Sequence, residues 1–319
     1  ESGMRRTRLD PLLRTCGERL RALVPELVER THRFAGLRPG GVYDDARQRE
    51  FCTALLGDMG FDFDRGRLDR STHPFTIMAG HDDVRLTIRA SADDPLPAIF
   101  ATLHEGGHAL YDQGASREFH GTLLADAPSM GAHEAQARLW ENHVGRRAAF
   151  WQCYFPRLRD AFPTALAGID AGGFHRALNV VAPGLNRVAA DEATYNLHVL
   201  LRYELEIALL SGDLAVADLP AAWDERQRHY LGVVAKTPRD GCLQDVHWAL
   251  GEFGYFPTYT LGNLYAAQLI ETYERTHDLD SELANGDLGS LREWLREHVH
   301  AHGATFAAEA LIERTTGRG

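Results

Sequence analysis

The spacing of apolar residues predicts a mainly helical chain. From Asp10 to Val28, apolar side chains recur every three or four positions, which is the period of an amphipathic helix. Gly36 and the Pro39-Gly40-Gly41 run are expected to end this helix, because glycine and proline interrupt a helical pattern. Similar spacing predicts further helices over residues 45–59, 133–155, 188–210, 223–234, 261–276 and 288–311.

One segment has a period of two instead. Between residues 83 and 89, aliphatic residues alternate with Arg85 and Thr87, which predicts a β-strand with one buried face. Asp94-Pro95 then offers an N-cap and a proline at the first helical position, and the helix that follows is expected to end near Gly114. The pattern therefore predicts a mainly α fold with a small sheet beside this helix.

Composition narrows the function classes. A chain of 319 residues that is 44% hydrophobic can bury a large core in a single bilobed domain. The formal charge of −11 argues against a nucleic acid or an anionic membrane as partner, since both need a basic surface. No stretch reaches membrane-spanning length, and no signal peptide is visible. The four cysteines are far apart without a CxxC pair, which favours reduced thiols in a cytoplasmic protein.

The most informative motif is the HExxH sequence from His104 to His108. Two histidines four positions apart lie on one face of a helix, so both imidazoles can bind a single metal ion, and Glu105 beside them can accept a proton from water. Gly106 and Gly107 each cost a helix interior about 1 kcal/mol relative to alanine, so some close contact should compensate. We expect a substrate backbone or a neighbouring strand to approach the helix there.

A catalytic zinc site needs a third protein ligand. The metzincin pattern requires glycine at position 111 and histidine at position 114, but this chain has Tyr111 and Gly114, so that class is excluded. Glutamate on a following helix is the other common source, and Glu134 is our choice, although it could instead pair with Arg138 at i+4. The alternatives are Glu118, Asp126 and Glu141.

Seven segments carry a family resemblance when they are taken together. They are His73-Pro74-Phe75, Asp83-x-Arg85-x-Thr87, HEGGHALYDQG from His104 to Gly114, His133-Glu134-Ala135-Gln136, Arg187-x-x-Ala190-Asp191, Gly241-x-x-Gln244-Asp245-x-His247-Trp248, and FGYFPTYTLGNLYAAQ from Phe253 to Gln268. From about residue 45 to the C-terminus, the chain resembles the carboxypeptidase Taq family of zinc metallocarboxypeptidases. Two small departures, Ala135 and Asn186, remove no functional group.

The resemblance implies a zincin-like fold of the gluzincin type with a long central cleft, and an enzyme that removes C-terminal amino acids from peptides. It implies zinc, with cobalt as the alternative, and Glu105 as the general base. The implied metal ligands are His104, His108 and Glu134. Arg187 is implied to help bind the free C-terminal carboxylate of the substrate. The implied cleft residues are His73, Arg85, His247 and one of the tyrosines Tyr255 and Tyr259.

Several roles stay open on the sequence alone. Binding of a terminal carboxylate needs a guanidinium fork. The candidate arginines are Arg85, Arg89, Arg187 and Arg202. An oxyanion needs a donor besides the metal, for which Tyr255, Tyr259 and His247 are the candidates, although each could belong to a packed aromatic cluster. Asp191 or Asp245 could orient a metal-binding histidine, cap a helix or pair with arginine.

The start of the chain carries further expectations. Glu1-Ser2-Gly3 resembles the remnant of an expression tag, and residues 4–44 are expected to form a shortened version of the helical N-terminal region of the family. A shorter region would leave the cleft more open and alter the limits on substrate size. Several family members are homodimers, and a homodimer is possible here.

Two other functions are also compatible with the sequence. One is a zinc endopeptidase or oligopeptidase with the same ligands. The other is a non-catalytic binding protein in which zinc only stabilises the fold. Glu105 argues against the second reading, since a purely structural site needs neither this carboxylate nor an open coordination position.

Overall fold

The structure is a computed structural model that describes residues 3–37 and 40–318. It is mainly helical with one small sheet, which confirms the predicted fold class. The α-helices are α1 (Arg6–Thr31), α2 (Asp45–Asp58), α3 (Leu96–Gly114), α4 (Met130–Arg138), α5 (Ala148–Ala161), α6 (Ala171–Leu178), α7 (Glu192–Ser211), α8 (Leu219–Leu231), α9 (Pro257–Tyr273), α10 (Leu279–Ala284), α11 (Gly289–His298) and α12 (Ala308–Thr316). The strands are β1 (Gly66–Arg70), β2 (Thr76–Gly80) and β3 (Asp83–Ile88). None of the described helices is long and apolar enough to cross a membrane.

The described residues form two compact units. The first comprises residues 37–178 and 261–318, and the second comprises residues 3–36 and 179–260. The first unit contains the sheet and α3. In the second unit, α1, α7 and α8 pack around a buried core that includes Val24, Leu201 and Trp223. α9 begins in the second unit and ends in the first.

β3 is the central strand of the sheet. β1 pairs with it in parallel and β2 pairs with it antiparallel, so the strand order is β1-β3-β2. The aliphatic residues of β3 are buried, as their alternation predicted, but Thr87 is buried as well. Its hydroxyl lies 2.6 Å from the hydroxyl of Ser71 and accepts a hydrogen bond from the backbone N–H of Phe75. Because its hydroxyl has these polar partners, Thr87 can be buried on the face that the sequence pattern assigned to solvent.

Several helices begin a few residues before or after the predicted position, and for two of them the structure shows the reason. The helices α4, α8 and α9 begin at Met130, Leu219 and Pro257, three or four residues early. α1 begins at Arg6 rather than near Asp10, and the buried Leu9 extends its apolar face into the additional turn. α7 begins at Glu192 rather than at residue 188, because the carboxylate of Asp191 accepts the backbone N–H of Thr194 and caps the helix there. Pro39, expected to help end α1, lies outside the described residues.

Two long predicted helices are each interrupted. Residues 133–155 divide into α4, a π-helical segment (Leu139–Val144) and α5. At Gly145, which follows that segment, a Cβ would lie 2.4 Å from Cδ1 of Leu103 and 2.8 Å from the backbone oxygen of Glu141, so a side chain there would require its neighbours to move. Residues 288–311 are interrupted between α11 and α12, where Gly303 has a φ of 48°. The apolar spacing continues across both breaks and does not reveal them.

Candidate metal centre

α3 presents both histidines of the HExxH motif on one face. The helix begins at Leu96, whose backbone N–H is accepted by the carboxylate of Asp94, and it ends at Gly114 as predicted. Pro95 precedes the helix instead of being its first residue. His104 and His108 lie one turn apart, with their ring centroids separated by 5.0 Å. The spacing of the motif thus places the two imidazoles side by side.

α4 brings Glu134 to the two histidines. Oε2 of Glu134 lies 3.9 Å from Nε2 of His104 and 3.6 Å from Nε2 of His108. Potential ligand atoms of these three residues all lie within 4.8 Å of one another. Neither Glu118 nor Asp126 belongs to this cluster. The structure therefore brings together the three residues chosen from the sequence.

The glycines of the motif allow close packing of helices. A Cβ on Gly107 would lie 2.6 Å from the backbone oxygen of Gln136 and 2.7 Å from Cα of Ala137, so α4 packs directly against the backbone of α3. A Cβ on Gly106 would lie 3.0 Å from Cδ1 of Leu56 on α2 and 2.9 Å from Cε of Met59, which directly follows that helix. The expectation of a strand or a substrate backbone at these glycines was wrong. Neighbouring helices compensate for the cost of the glycines.

The second oxygen of Glu134 has a different partner. Nε of Arg138 donates to Oε1 of Glu134 over 2.7 Å, and NH1 of the same arginine donates to Oε2 of Glu141 over 3.0 Å. The i+4 ion pair that the sequence suggested as an alternative thus exists together with the histidine cluster. Burial alone would raise the pKa of Glu134, but the Arg138 guanidinium and the two imidazoles outweigh burial and hold it well below its usual range. Glu134 is therefore an ionised, buried carboxylate.

Each histidine has a partner for its other ring nitrogen. Nδ1 of His104 lies 2.8 Å from Oε2 of Glu141, and Nδ1 of His108 lies 2.6 Å from Nδ1 of His133. Burial lowers the pKa of His104, but Glu134 and Glu141 outweigh it and raise this pKa to about 9. Since the Nδ1 atoms are engaged, both Nε2 atoms are left to bind a cation.

These partners differ from the sequence candidates. Asp191 caps α7, and Asp245 binds two arginines, which are two of the alternative roles that the sequence suggested for them. The glutamate considered as an alternative third ligand, Glu141, supports His104 from behind. One signal in the sequence could have identified it, namely the spacing of Glu134, Arg138 and Glu141 over two helical turns.

Strand β2 holds Glu105. The hydroxyl of Thr76 donates to Oε2 of Glu105 over 2.8 Å, and its oxygen also lies 3.0 Å from the backbone oxygen of the same residue. Glu105 is buried, with 7% of its surface exposed. Its charge helps to raise the pKa of His104, so the carboxylate lies close enough to act on the histidine cluster.

The donor set fits a divalent metal ion. Two imidazole nitrogens and one carboxylate oxygen, with supporting hydrogen bonds behind each histidine, match the ligands of catalytic zinc sites that keep one position open. An anionic, buried glutamate would supply the charge that partly neutralises the ion. His104, His108 and Glu134 are therefore the residues of this chain that would hold the metal.

Two further predicted residues lie on the surface of the first unit. His73 precedes β2 and is exposed. Arg85 is exposed on β3 and donates to both carboxylate oxygens of Asp83, over 2.8 and 2.6 Å. A substrate-binding role for either residue stays a prediction.

Arg187 belongs to a buried ion cluster in the second unit. Its Nε and NH2 both donate to Oδ1 of Asp245, and its NH1 donates to the hydroxyl of Tyr195 over 2.9 Å. Oδ2 of Asp245 accepts from Nε of Arg202, which is completely buried. Two guanidinium groups therefore share one carboxylate. Sequence analysis named both arginines as candidates and gave pairing with arginine as one of the possible roles of Asp245, and this is the role that the structure shows.

An aromatic cluster surrounds the same arginine. Cζ of Arg187 lies 4.6 Å from the ring centroid of Tyr259, whose hydroxyl is 3.0 Å from Nε2 of His247. Tyr255 packs edge-on against Tyr259, with ring centroids 5.4 Å apart. Burial and the Arg187 guanidinium lower the pKa of His247. The structure thus brings Arg187, His247, Tyr255 and Tyr259 together within the second unit.

Comparison with known proteins gives a consistent result. The family model described as carboxypeptidase Taq (M32) metallopeptidase matches residues 1–319. Thermostable carboxypeptidase 1 of Thermus thermophilus is 47% identical over 323 residues, which cover 99% of this chain and 62% of that protein. Carboxypeptidase 1 of Bacillus subtilis is 43% identical over 272 residues, which cover 85% of this chain and 54% of that protein.

Solved structures give the same result. A crystal structure of an M32 carboxypeptidase from Deinococcus radiodurans R1 has a TM-score of 0.93 and 42% identity, covering 100% of this chain and 64% of that one. Metallocarboxypeptidase 1 of Trypanosoma cruzi has a TM-score of 0.95 and 35% identity, covering 100% of this chain and 67% of that one. The chain therefore spans about 62% of the length of the Thermus relative.

Proposed function

Because the chain belongs to the carboxypeptidase Taq (M32) metallopeptidase family, we propose that it is a metal-dependent carboxypeptidase that removes C-terminal amino acids from peptides. The observation that carries this proposal is the convergence of His104, His108 and Glu134, together with a buried Glu105 whose charge acts on His104. A site that only stabilises the fold would need no such carboxylate.

The metal of this proposal is zinc, with cobalt as the alternative. Nitrogen from imidazole and oxygen from carboxylate are ligands that zinc accepts in a tetrahedral arrangement. When bound, such an ion supplies a Lewis acid that polarises a peptide carbonyl and acidifies water. Ionised Glu134 and the Nδ1 contacts of the two histidines would keep the ligand atoms directed at the ion.

Glu105 is proposed as the general base. Its carboxylate accepts the proton of the attacking water and then delivers it to the amine that leaves when the peptide bond breaks. The hydrogen bond from Thr76 to Oε2 fixes the rotamer of this side chain and leaves Oε1 for the proton transfer. This role for Thr76 follows from the hydroxyl that β2 directs at α3.

Arg187 is proposed to bind the C-terminal carboxylate of the substrate. A guanidinium has five N–H groups, and three of them donate to Asp245 and Tyr195. The remaining N–H of each terminal nitrogen could form a two-pronged contact with a carboxylate. Asp245 and the ring of Tyr259 would hold the guanidinium plane in position. Roles in oxyanion stabilisation for His247, Tyr255 and Tyr259, and in substrate binding for His73 and Arg85, belong to the same proposal.

The remaining parts of the proposal concern setting and partners. Peptides with a free C-terminus are the proposed partners, and a cytoplasmic location is favoured by the four cysteines, all of which are free thiols. A homodimer is the proposed assembly. Size-exclusion chromatography with light scattering at several concentrations would test it, and a mass of 35.5 kDa at every concentration would contradict it.

A matched pair of peptides tests the activity. The metal-loaded protein is incubated with an N-terminally blocked peptide and with its C-terminally amidated twin, and the products are followed by mass spectrometry. The proposal predicts stepwise loss of residues from the C-terminus of the free acid and little change in the amide. Internal cleavage of the amidated peptide would instead identify an endopeptidase. No cleavage of either peptide, by protein shown to contain metal, would contradict a hydrolase.

A further inference from the structure

The sequence His133-Glu134-Ala135-Gln136 contains a metal ligand, but His133 has no role in the proposed function. It lies one residue before Glu134 on α4, with 19% of its side chain exposed. Both of its ring nitrogens are engaged by residues of α3. Nδ1 lies 2.6 Å from Nδ1 of His108, and Nε2 lies 3.0 Å from Oδ1 of Asp112.

The two contacts of His133 fix the position of its proton. The carboxylate of Asp112 can only accept a hydrogen bond when it is ionised, so Nε2 of the neutral ring must carry the proton. Nδ1 of His133 then has a lone pair and accepts a hydrogen bond. The donor of that bond is Nδ1–H of His108, because one of two nitrogens 2.6 Å apart must donate to the other.

The same reasoning fixes the tautomer of the metal ligand. A proton on Nδ1 of His108 leaves the lone pair on Nε2, which faces Oε2 of Glu134 at 3.6 Å. The opposite tautomer would place a proton where the metal ion must bind. His104 is held in the same tautomer without an intervening histidine, since its Nδ1 contacts the carboxylate of Glu141 directly.

Helix packing positions the hydrogen-bonded series Asp112–His133–His108, which is called the relay below. His108 and Asp112 are four residues apart on α3 and therefore lie on the same face, one turn apart. His133 bridges them from α4, which the bare backbone at Gly107 allows to approach closely. The ring of Tyr111 packs 5.2 Å from the ring of His133. Backbone approach, helical spacing and aromatic packing together hold the imidazole between its two partners.

We propose that Asp112 and His133 are positioning residues that hold His108 in the tautomer able to bind the metal. They act through His108 and touch neither the ion nor the substrate. This inference rests on the metal site of the proposed function. Partners of this kind typically change metal affinity about 10–100-fold when they are removed.

Zinc affinity of His133 variants tests the relay. In His133→Asn, the amide oxygen takes approximately the place of Nδ1 and can still accept from His108, whereas His133→Leu offers no acceptor. Affinity is measured for the full chain by competition with a fluorescent zinc chelator, and folding is checked by circular dichroism. We expect His133→Leu to lose about 10–100-fold in affinity and His133→Asn to stay within about threefold of the wild type.

His300→Leu is the matched control. His300 is buried in the same region, where its Nε2 lies 3.0 Å from Oε1 of Gln136 and its ring is 5.0 Å from that of Tyr111. It contacts no metal ligand through a hydrogen bond. Its removal should change zinc affinity by less than about threefold, since it lies outside the relay. Equal losses in His133→Leu, His133→Asn and His300→Leu would show a packing role and overturn the proposal.

A spectroscopic measurement keeps the proposal testable if His133→Leu does not fold. Long-range ¹H–¹⁵N correlation spectra of the zinc-loaded wild type report which nitrogen of each imidazole carries the proton. A proton on Nε2 of His133 with an unprotonated Nδ1 is the expected result, and the opposite arrangement would overturn the relay. A wild type that binds no zinc would overturn this inference and the proposed function together, whereas zinc binding with unaltered affinity in His133→Leu would overturn this inference alone.

Discussion

Arg138 donates from Nε to Oε1 of Glu134 over 2.7 Å, and the two oxygens of this carboxylate thereby have different partners. Oε2 faces the two histidines of the HExxH motif, at 3.6 Å from His108 and 3.9 Å from His104. Through NH1, the same arginine also holds Glu141, which contacts His104. One guanidinium thus holds a proposed metal ligand, Glu134, and the residue that contacts a second proposed ligand, His104.

Arg138→Leu should weaken both the fold and the metal site. The substitution leaves two buried carboxylates without their cation, which typically costs about 3–5 kcal/mol of the free energy of unfolding. Loss of the restraint on Glu134 should lower zinc affinity about 10–100-fold. Urea unfolding of the metal-free protein and competition with a zinc chelator measure the two effects. Arg138→Lys keeps the charge without the guanidinium fork. Its stability and its zinc affinity should lie between those of the wild type and those of Arg138→Leu. Unaltered zinc affinity in a folded Arg138→Leu variant would refute the positioning role.

Glu105→Gln should remove turnover and leave the metal in place. An amide can accept the hydrogen bond from Thr76 but cannot take a proton from water, and a lost general base typically costs about 10²–10⁴ in rate. The initial rate on a blocked peptide and the zinc content of the same sample are measured together. Thr76→Val is the companion variant, expected to lose less, since it removes only the fixation of the base. Near wild-type activity in Glu105→Gln would eliminate Glu105 as the base.

Arg187→Ala should mainly raise KM for peptides with a free carboxylate. The charge-assisted contact with the terminal carboxylate is worth about 1.5–3 kcal/mol, or about 10–100-fold, and amidated peptides should not lose it. Asp245 keeps Arg202 as a partner, so the buried carboxylate is not left alone. Arg187→Lys retains the charge but not the fork. If the wild type, Arg187→Ala and Arg187→Lys show the same preference for free acids over amides, Arg187 does not bind the C-terminal carboxylate.

Stability should fall with rising pH because of Glu206. Burial raises the pKa of this residue to about 7, although the indole N–H of Trp248 and the backbone N–H of Gly254 lower it. In the unfolded chain, glutamate ionises near pH 4.3. Between about pH 4.5 and 7 the folded protein therefore holds a proton that the unfolded chain has lost, so the free energy of unfolding decreases through this window and levels off above it.

Comparison with Glu206→Gln measures this contribution. The variant behaves as the protonated form at every pH and should equal the wild type near pH 4.5 but exceed it at pH 8 by about 1–3 kcal/mol in urea unfolding. Glu225→Gln, an exposed position on α8, is the control and should follow the wild-type profile. A constant difference between Glu206→Gln and the wild type across pH would contradict the assignment.

The three candidate metal ligands could be brought together from the sequence because helical spacing is a local property. His104 and His108 are four residues apart, and Glu134 lies on the next helix. The residues that contact the Nδ1 atoms of the two histidines were not assigned this role from the sequence, because the contacts depend on how the helices pack. His133 reaches His108 only because α4 approaches the backbone at Gly107, and this approach is not visible in the sequence.

The fold shows the same division between local and tertiary causes. The predicted spans of α2 and α3 agree with the structure to within a residue or two, since caps and glycines mark their ends. The break at Gly145 could not be predicted, because apolar spacing continues through it. Strands β1 and β2 are five residues long and contain few aliphatic residues, so their alternation gives no clear signal.

Anomalous diffraction at the zinc edge tests the central claim most directly. A crystal of the protein loaded with zinc should show one strong peak about 2.0–2.2 Å from Nε2 of His104, Nε2 of His108 and a carboxylate oxygen of Glu134, with the fourth position open to solvent. A peak at other residues would contradict the account, as would Glu134 directed away from the ion or a fourth side chain closing the open position.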